Sequence, residues 1–343
     1  MRCSMTAVVA VTALTSLAQA QIVVDGTAEA AYGPARAVQN TVTGFGNSTL
    51  GNVGFADGSE LDAGYGVIDV KGGYLYLVLA GNLQSNFNKL EVFIDCVPGG
   101  QNQLRGDNPD VDFNGLNRMG RLDDSNPGLK FEEDFAADFW FSCTGGNDPY
   151  EFYANASQVL TDGGGNGAYL GMSGAGGVIV SALGIEASMN NSNTRGVDGG
   201  SSGPSDGSGV VTGVEVKIPL SLLGWTDGPI KVCAFVNGSG HDYMSNQILG
   251  GVDGAQNLSC GPDSCNWVDV RTIDFGAVSG TQYFTVELAA ACPADLNNDG
   301  EVNGADLGLV IGSWGTPGVG DINGDGNTDG ADLGIVIGTW GPC

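Results

Sequence analysis

The chain has 343 residues, and its 12 Lys and Arg against 39 Asp and Glu give a net charge of −27, which disfavours nucleic acid and anionic membranes as partners. Its 42% hydrophobic content suffices for a buried core, while 59 glycines favour a fold rich in turns. The single histidine, His241, disfavours histidine-based zinc sites, catalytic triads and haem ligation.

Residues 1–20 have the features of a secretory signal peptide. Arg2 precedes an apolar run at 7–17, and small residues at 18 and 20 fit a cleavage site before Gln21. No later run approaches the roughly 18 apolar residues that span a bilayer. We therefore expect a secreted protein, extracellular or attached to a cell surface, without membrane insertion.

Secretion permits disulfide bonds, and seven cysteines remain after Cys3. Their spacing favours three pairs and one free thiol in an apolar run, although the sequence leaves other connectivities open. The predicted pairs are Cys260–Cys265, Cys292–Cys343 and Cys96–Cys143, and the predicted buried thiol is Cys233.

Between residues 21 and 288, apolar and polar residues alternate in short runs, which is the pattern of β-strands. Clusters of Gly, Asn and Asp separate these runs, and the longest are at 162–177 and 196–209. One short helix or turn is expected at 219–225. The region predicts a large, jelly-roll-like β-sandwich. Its clearest strands are 74–79, 89–95, 214–218 and 230–236.

A predicted hairpin at 135–157 contains a candidate sugar-binding surface. Alternation places Trp140 and Tyr153 on the polar faces of their strands, and pairing Cys143 with Tyr150 would set these two rings side by side. Adjacent exposed aromatic rings with a polar rim are typical of a sugar-stacking platform. The alternative is that a further layer covers this face and the rings belong to the core. The candidate residues are Trp140, Tyr153, Asp138, Glu151 and Asn155.

Several short segments of this region resemble family 9 carbohydrate-binding modules and related β-sandwich domains, in the same order along the chain. The resemblance implies sugar binding without catalysis, and it identifies no binding residue. The segments are VDGT at 24–27, AYG at 31–33, YLYLVLAGN at 74–82, LEVFID at 90–95 and EVKIP at 215–219.

Other motifs of the region point less clearly to chemistry. The G-x-S-x-G sequence at 199–203 lies in a Gly/Ser loop without the strand and helix that a nucleophile elbow needs. His241 and Asp242 are interpreted as a loop pair rather than as a base with its orienting acid. A glycoside hydrolase needs two carboxylates across a cleft, and the acids available for this role are Glu132, Glu133, Asp134 and Asp138. A further calcium loop is possible at Asp107, Asp110 and Asp112, and the alternative is that these three acids form a solvated turn.

A twelve-residue motif at 295–306 recurs 26 residues later at 321–332. Oxygen-bearing side chains at positions 1, 3, 5 and 9, a carboxylate at 12 and glycine at 6 form an EF-hand-like calcium loop, with position 12 occupied by Asp instead of Glu. Each loop precedes apolar residues at helical spacing, so we expect two loop-helix units that pack together to bury their apolar stripes. These stripes are Leu307, Val310, Ile311 and Trp314, and Leu333, Val336, Ile337 and Trp340.

Residues 295–340 resemble type I dockerins, which attach enzymes and binding modules to cohesin receptors. The resemblance implies a cohesin-type partner that contacts loop positions 10 and 11, here Gly304, Ala305, Gly330 and Ala331, and the later pairs 312–313 and 338–339. The near identity of the two copies permits docking in two orientations. The implied ligands of two calcium ions are Asp295, Asn297, Asp299, Glu301 (by its carbonyl), Asn303 and Asp306, and Asp321, Asn323, Asp325, Asn327 (by its carbonyl), Asp329 and Asp332.

Residues 292–343 contain eight acids and no Lys or Arg, so we expect this segment to unfold without calcium. The second loop has four side-chain carboxylates against three in the first, which favours tighter binding there. We thus predict a mainly β protein in which a β-sandwich (21–288) is joined by a linker (289–291) to a small α domain (292–343).

The predicted function is calcium-dependent docking of a domain that binds polysaccharide without catalysis. Two alternatives are a polysaccharide-degrading glycoside hydrolase of an extracellular complex and a structural surface or matrix protein. For residues 292–343, the alternative is a calcium-stabilised end cap without a partner.

Overall fold

A computed structural model of the chain describes residues 22–39, 59–197, 207–252, 257–261, 264–288, 292–297 and 299–343. The predicted signal peptide, the predicted linker and the G-x-S-x-G sequence lie outside the described residues. The chain divides into two compact units, one of Ile22–Leu288 and a second that includes 292–343.

The larger unit is mainly β and contains two antiparallel sheets. Its strands are β1 Ala37–Val38, β2 Glu60–Asp69, β3 Tyr74–Asn82, β4 Lys89–Asp95, β5 Phe139–Gly146, β6 Glu151–Gln158, β7 Gly167–Gly174, β8 Val178–Val180, β9 Glu186–Met189, β10 Gly213–Pro219, β11 Ile230–Asn237, β12 Met244–Ile248, β13 Cys260–Gly261, β14 Ser264–Trp267 and β15 Phe284–Val286. The first sheet has the order β1-β2-β3-β10-β9-β8. The second has the order β12-β11-β4-β5-β6-β7, and β15 also pairs with β11. Strands β13 and β14 form a separate hairpin.

The four clearest predicted strands are confirmed as β3, β4, β10 and β11. The short helix predicted at 219–225 is also present, as α2 at Leu220–Leu223, and a further helix, α1, spans Gly115–Met119. The prediction of a loop at 162–177 is wrong, because β7 lies within it. None of the helices in the described segments has both the length and the hydropathy to cross a membrane.

One buried cluster receives side chains from both sheets, which gives the unit a sandwich-like core. Period-two alternation directs every second residue of a strand to this core. Burial of these aliphatic and aromatic side chains is the main stabilising contribution of the larger unit. The central contributors are Leu75, Leu77 and Leu79 of β3, Val214, Val216 and Ile218 of β10, Leu90, Val92 and Ile94 of β4, and Phe139 and Phe141 of β5.

The opposite face of the second sheet is covered by chain segments that connect its strands. Trp140 is fully buried there, so the interpretation that it faces outward is wrong, and the alternative of a further covering layer is correct for this ring. The covering segments supply a second apolar cluster that a period-two pattern in the strands does not reveal. From the sheet it contains Phe93, Trp140, Cys233 and Phe235, and from the covering segments Leu104, Leu116, Phe131, Phe135 and Phe275.

The amino-terminal segment lies against the outer face of the first sheet and is attached through Glu215. The buried Glu215 carboxylate accepts hydrogen bonds from the backbone N–H groups of Asp25 and Gly26, both at 2.8 Å, and from the Tyr32 hydroxyl at 2.6 Å. Burial raises the pKa of Glu215, and these donors partly oppose the shift. The short motifs at 24–27 and 31–33 therefore have a structural role in this chain.

The predicted cysteine pairs have different outcomes. Cys292–Cys343 is a disulfide, whereas Cys96 and Cys143 are both free, so that predicted pair is wrong. Cys143 pairs with Leu90 on β4, six residues before Cys96, which places the two thiols about 20 Å apart along the sheet. Cys233 is free and buried, as predicted. The structure describes the backbone of Cys260 and Cys265 but not their side chains, so the predicted pair Cys260–Cys265 stays a prediction.

The second unit contains two nine-residue helices, α3 at Gly304–Gly312 and α4 at Gly330–Gly338, and a two-stranded pairing of β16 Glu301–Val302 with β17 Gly341–Pro342. The expectation that both apolar stripes are buried holds only in part. Val310 and Val336 are buried, but the last two apolar residues of each stripe are exposed. The exposed residues are Ile311, Trp314, Ile337 and Trp340.

Candidate calcium loops and surface sites

The first predicted calcium loop is folded around its own carboxylates. Asp295 accepts hydrogen bonds from the N–H groups of Asp299 at 3.1 Å and Gly300 at 2.9 Å. Gly300, at loop position 6, has a φ of +88°, a conformation that glycine adopts without strain. The carboxylate of Asp306 accepts from the N–H groups of Leu296 at 2.8 Å and Asn303 at 2.9 Å, and so links both ends of the loop.

Three acids of this loop converge. One carboxylate oxygen from each of Asp295, Asp299 and Asp306 lies within 4.8 Å of the other two. This is the only such group of three acidic, histidine or cysteine side chains found among the described residues. Hard oxygen ligands at this spacing suit Ca²⁺, and three carboxylates so close repel one another unless a cation lies between them.

The second loop repeats the same hydrogen-bonded frame. Asp321 accepts from the N–H groups of Asp325 at 3.1 Å and Gly326 at 2.8 Å, as Asp295 does in the first loop. Asp332 accepts from the N–H groups of Ile322 and Asp329, both at 2.8 Å. These donors lower the pKa of Asp332 and keep it ionised. The acids of this loop do not form a group as close as that of the first.

The carboxylate at loop position 12 is also part of the helix start. Asn303 caps α3 through a hydrogen bond from the N–H of Ala305, and Asp306 bonds back to the N–H of Asn303, which completes a capping box. Asp329 and Asp332 do the same for α4. Each helix sequence contains three glycines, which are poor helix formers, so the caps and loops must support helices that would not persist alone.

The positions predicted to contact a partner, Gly304, Ala305, Gly330 and Ala331, are all exposed at the helix starts. Their side chains offer little area for contact. The larger exposed groups lie further along, where Trp314 is 50% and Trp340 53% exposed. The helical spacing predicted that these tryptophans belong to buried stripes, and their exposure shows that this prediction is wrong for both.

The structure separates the five residues of the predicted sugar-stacking platform. The hairpin pairs Trp140 with Ser157 and Thr144 with Tyr153, which corrects the predicted register by four residues. Pairing continues through Gly145 and Gly146, although the predicted pairing of Cys143 with Tyr150 places both glycines in the turn. A Cβ on Gly146 would lie 2.1 Å from the Phe87 ring, so only glycine leaves room for that ring. The buried Trp140 donates its Nε1–H to Glu91 at 2.9 Å, Asn155 is buried, and Asp138 accepts hydrogen bonds from the backbone of residues 96 and 97.

Tyr153 and Glu151 remain together at the surface. The Tyr153 hydroxyl donates to Glu151, which raises the pKa of Tyr153 and lowers that of Glu151. Asn147 donates to the same hydroxyl at 2.9 Å, and the ring of Phe87, 40% exposed, lies 6.5 Å away. Tyr169 on the adjacent strand β7 is 59% exposed. We refer to Phe87, Tyr153 and Tyr169 as the tyrosine patch.

The other acids considered do not converge on a site. Asp107 pairs with Arg105, Asp110 accepts from the N–H of Asn114, and Asp112 pairs with Lys89, so no third calcium loop forms. Among the acids considered for glycoside hydrolysis, Asp134 bonds to Lys231 and Tyr283, Glu133 is exposed, Glu132 accepts from the N–H of Gln282, and Asp138 is held by backbone donors.

His241 is part of a buried ionic cluster that sequence reasoning missed. Its Nδ1 lies 2.5 Å from Glu91 and its Nε2 lies 2.9 Å from Asp112, which also pairs with Lys89 at 2.7 Å. Burial alone would lower the pKa of His241, but the two carboxylates outweigh burial and raise it to about 9. The interpretation of His241 with Asp242 as a loop pair is therefore incomplete, because the partners of His241 lie about 130 to 150 residues away in sequence.

No family model matches the chain, and comparisons with curated proteins and with solved structures also give no match. The resemblances to dockerins and to carbohydrate-binding modules therefore depend on the motifs of this sequence alone.

Proposed function

We propose that this chain is a secreted, calcium-dependent docking protein whose larger unit binds polysaccharide without catalysis. The observation that carries the proposal is the repeated loop, in which two twelve-residue segments use equivalent carboxylates for equivalent backbone hydrogen bonds. The acids of the first loop converge, and the second loop repeats the same hydrogen bonds, so we infer that each loop holds one Ca²⁺. The dockerin-like arrangement and the jelly-roll form of the larger unit are part of this proposal.

The acidic composition of the second unit supports a structural role for calcium. Among the described residues of this unit, the apolar core has four that are fully buried, Ala294, Val302, Val310 and Val336. Residues 292–343 have no Lys or Arg to neutralise their eight acids. A core of this size does not normally stabilise an independent domain. Bound cations supply both the missing charge balance and the missing stability.

Exposed apolar residues at and just beyond the ends of the two helices provide the docking surface for a cohesin-type receptor. Ile311 and Trp314 of the first copy and Ile337 and Trp340 of the second are between 50% and 60% exposed. Tryptophan is a frequent anchor of protein interfaces, because its large ring buries much area at low entropic cost. Since both copies present the same pair, the receptor is able to use either one.

Single and double tryptophan variants test this docking surface. Trp314→Ala and Trp340→Ala are each expected to weaken docking about twofold or less, because the other copy still serves. The double variant is expected to bind a cohesin about 30-fold or more weakly, a loss of affinity of the size that removal of one hot-spot residue causes. The measurement is binding of the calcium-loaded protein to an immobilised panel of cohesin domains.

Val319→Ala is the control for this series, since Val319 is an exposed apolar residue of the same unit that belongs to neither apolar stripe. Calcium-dependent capture that survives the double tryptophan variant would contradict the proposed surface. If no cohesin is captured with or without a chelator, the docking part of the proposal fails. Residues 292–343 are then interpreted as a calcium-stabilised end cap without a partner.

The tyrosine patch is the proposed glycan contact of the larger unit. Aromatic rings stack on the apolar faces of sugars, while Glu151 and Asn147 next to Tyr153 offer polar partners for hydroxyl groups. Tyr153 and Tyr169 lie on the strands β6 and β7, which fix their positions. The acids considered for glycoside hydrolysis make other contacts, so no observation favours the hydrolase alternative.

Tyr153→Ala is expected to reduce retention of the protein on insoluble polysaccharides about tenfold. The loss of one stacking ring and its hydrogen bonds accounts for this magnitude. Depletion from solution by a panel of glycans measures the effect, and Trp267→Ala, which removes an aromatic ring exposed elsewhere in the unit, is the control. Equal retention of Tyr153→Ala and the unchanged protein would exclude the tyrosine patch as the contact.

A further inference from the structure

The larger unit contains an open cleft of about 460 Å³ whose lining is exceptional in so acidic a protein. Three of the chain's 12 basic residues, Arg118, Arg121 and Arg271, line it, and no Asp or Glu does. Elsewhere acids exceed bases more than threefold. The cleft therefore gathers three guanidinium groups, each with one acidic partner beside the cleft, and its volume is within the range of small-ligand pockets.

The arginines of the cleft retain unused hydrogen-bond donors. A guanidinium has five N–H groups, and a single acidic partner leaves several of them free. In addition, Nε of Arg271 and Oδ1 of the lining residue Asn117 are buried without a hydrogen-bond partner among the described residues. Buried polar atoms are normally paired, so these two indicate a missing ligand or solvent partner. The acidic partners are Asp242 for Arg118 at 3.0 Å, Asp124 for Arg121 at 2.5 Å and Asp269 for Arg271 at 3.5 Å.

An aromatic ring projects into solvent at the edge of this cleft. Phe113 is 100% exposed, and it lies in the middle of three consecutive residues, 112–114, with φ between +52° and +64°. Non-glycine residues rarely adopt this conformation, and three in succession are unfavourable. The segment is held by the contacts of Asp112 with Lys89 and His241. The fold thus maintains an unfavourable backbone that keeps an apolar ring in water.

We propose that this cleft binds an anionic sugar, a pyranose that carries a carboxylate or a sulfate. The inference deepens, and rests on, the proposed binding of polysaccharide by the larger unit. Planar guanidinium groups match the two oxygens of a carboxylate or sulfate, whereas Phe113 and the exposed Leu122 match the apolar face of a sugar ring. A simple inorganic anion would use the arginines but not the aromatic ring.

Calorimetric titration of the full chain at a fixed calcium concentration tests this assignment. The probes are trigalacturonate, a sulfated galactotriose and neutral galactotriose, which differ only in the anionic group or its absence. We expect binding of at least one anionic probe, weakened by added salt, and at least tenfold weaker binding of the neutral probe. Preference for carboxylate or for sulfate identifies the source of the anionic oxygens.

Three variants locate the binding in the cleft. Arg118→Gln with Arg121→Gln is expected to weaken binding of the anionic probe about 100-fold, and Phe113→Ser about tenfold. Arg105→Gln is the matched control, because it removes an equally exposed arginine that pairs with Asp107 and does not line the cleft. This variant should bind like the unchanged protein.

The proposal is overturned if the double arginine variant binds as tightly as Arg105→Gln, or if neutral galactotriose binds as well as the anionic probes. In the second case the binding of polysaccharide by the larger unit still stands. Absence of binding to all three probes and to the wider glycan panel would overturn both this assignment and the glycan part of the proposed function.

Discussion

Removal of calcium is expected to unfold residues 292–343 while the larger unit keeps its structure. Without the ions, the three converging carboxylates of the first loop repel one another, and the four acids of the second loop have no basic residue in residues 292–343 to offset their charge. Neither short helix supports itself, because three glycines occur in each nine-residue segment. The four buried residues of the core add too little to compensate.

The free energy by which calcium stabilises this segment follows from mass action. An ion present at 100 to 1,000 times its dissociation constant stabilises the folded state by about 3–4 kcal/mol, so two ions contribute about 6–8 kcal/mol. That amount is comparable with the whole stability of many small domains. The Cys292–Cys343 disulfide, which spans 51 residues, contributes on the order of 4 kcal/mol through the unfolded state and does not replace the ions.

Hydrogen–deuterium exchange of the full chain measures the effect separately in the two units. In excess chelator, amides of α3 and α4 should exchange at least 100-fold faster, while those of β3, β4, β10 and β11 should not change. Asp306→Asn with Asp332→Asn should reproduce this result in the presence of calcium. Glu301→Gln is the control, since it removes one charge from the first loop at the position that binds through its carbonyl. Equal protection of α3 and α4 with and without chelator would contradict the structural role of calcium.

Loss of the positive charge of His241 in its buried cluster with Glu91 and Asp112 is expected to lower the stability of the larger unit strongly. His241 has a pKa of about 9 in the folded chain, against about 6.5 in the unfolded chain. Because its folded pKa is raised, the stability it contributes is complete below about pH 6.5 and is lost as the pH rises through about 9. The difference of the two values corresponds to about 3 kcal/mol.

Replacement of His241 by Gln should remove this pH dependence and lower the free energy of unfolding near neutral pH by about 3 kcal/mol or more. Part of the loss arises because the buried Glu91 no longer has its ionic partner. Denaturant unfolding at pH 6.5, 7.5 and 9 in saturating calcium measures both effects. Asp242→Asn, a change at the neighbouring residue whose partner Arg118 is half exposed, should alter stability by about 0.5 kcal/mol at most. If His241→Gln loses stability between pH 6.5 and 9 as the unchanged chain does, another group is responsible.

Much of the mainly β fold is predictable from local patterns. The alternation around Tyr76 and Val92 identifies β3 and β4, because the side-chain period of a strand is two. The same period correctly separates Phe141 from Trp140 on opposite faces of β5. It does not reveal which faces are covered. Several of the segments that bury Trp140, such as those that contain Leu104 and Phe275, are distant in sequence, so the pattern of β5 does not identify them.

The pairing register of β5 with β6 was also not predictable from the sequence alone. Gly145 and Gly146 are typical of turns, yet they continue β5, since the rings of Tyr150 and Phe87 take the space of their missing side chains. Likewise, the cluster of Glu91, Asp112 and His241 joins three separate segments, so no short motif predicts it. The two loops could be recognised because all their residues fall within twelve consecutive positions, and the binding of calcium by them stays a prediction.

The most direct test of the proposed calcium-dependent docking protein is the number of calcium ions bound by the full chain, measured by calorimetric titration after removal of residual metal. Two ions per chain are expected, with the tighter site in the second loop, which has four carboxylates. Asp306→Asn and Asp332→Asn should each reduce the number to one, while Glu301→Gln should leave two. A chain that binds no calcium, or that binds it equally after both substitutions, would contradict the calcium loops and the docking function that depends on them.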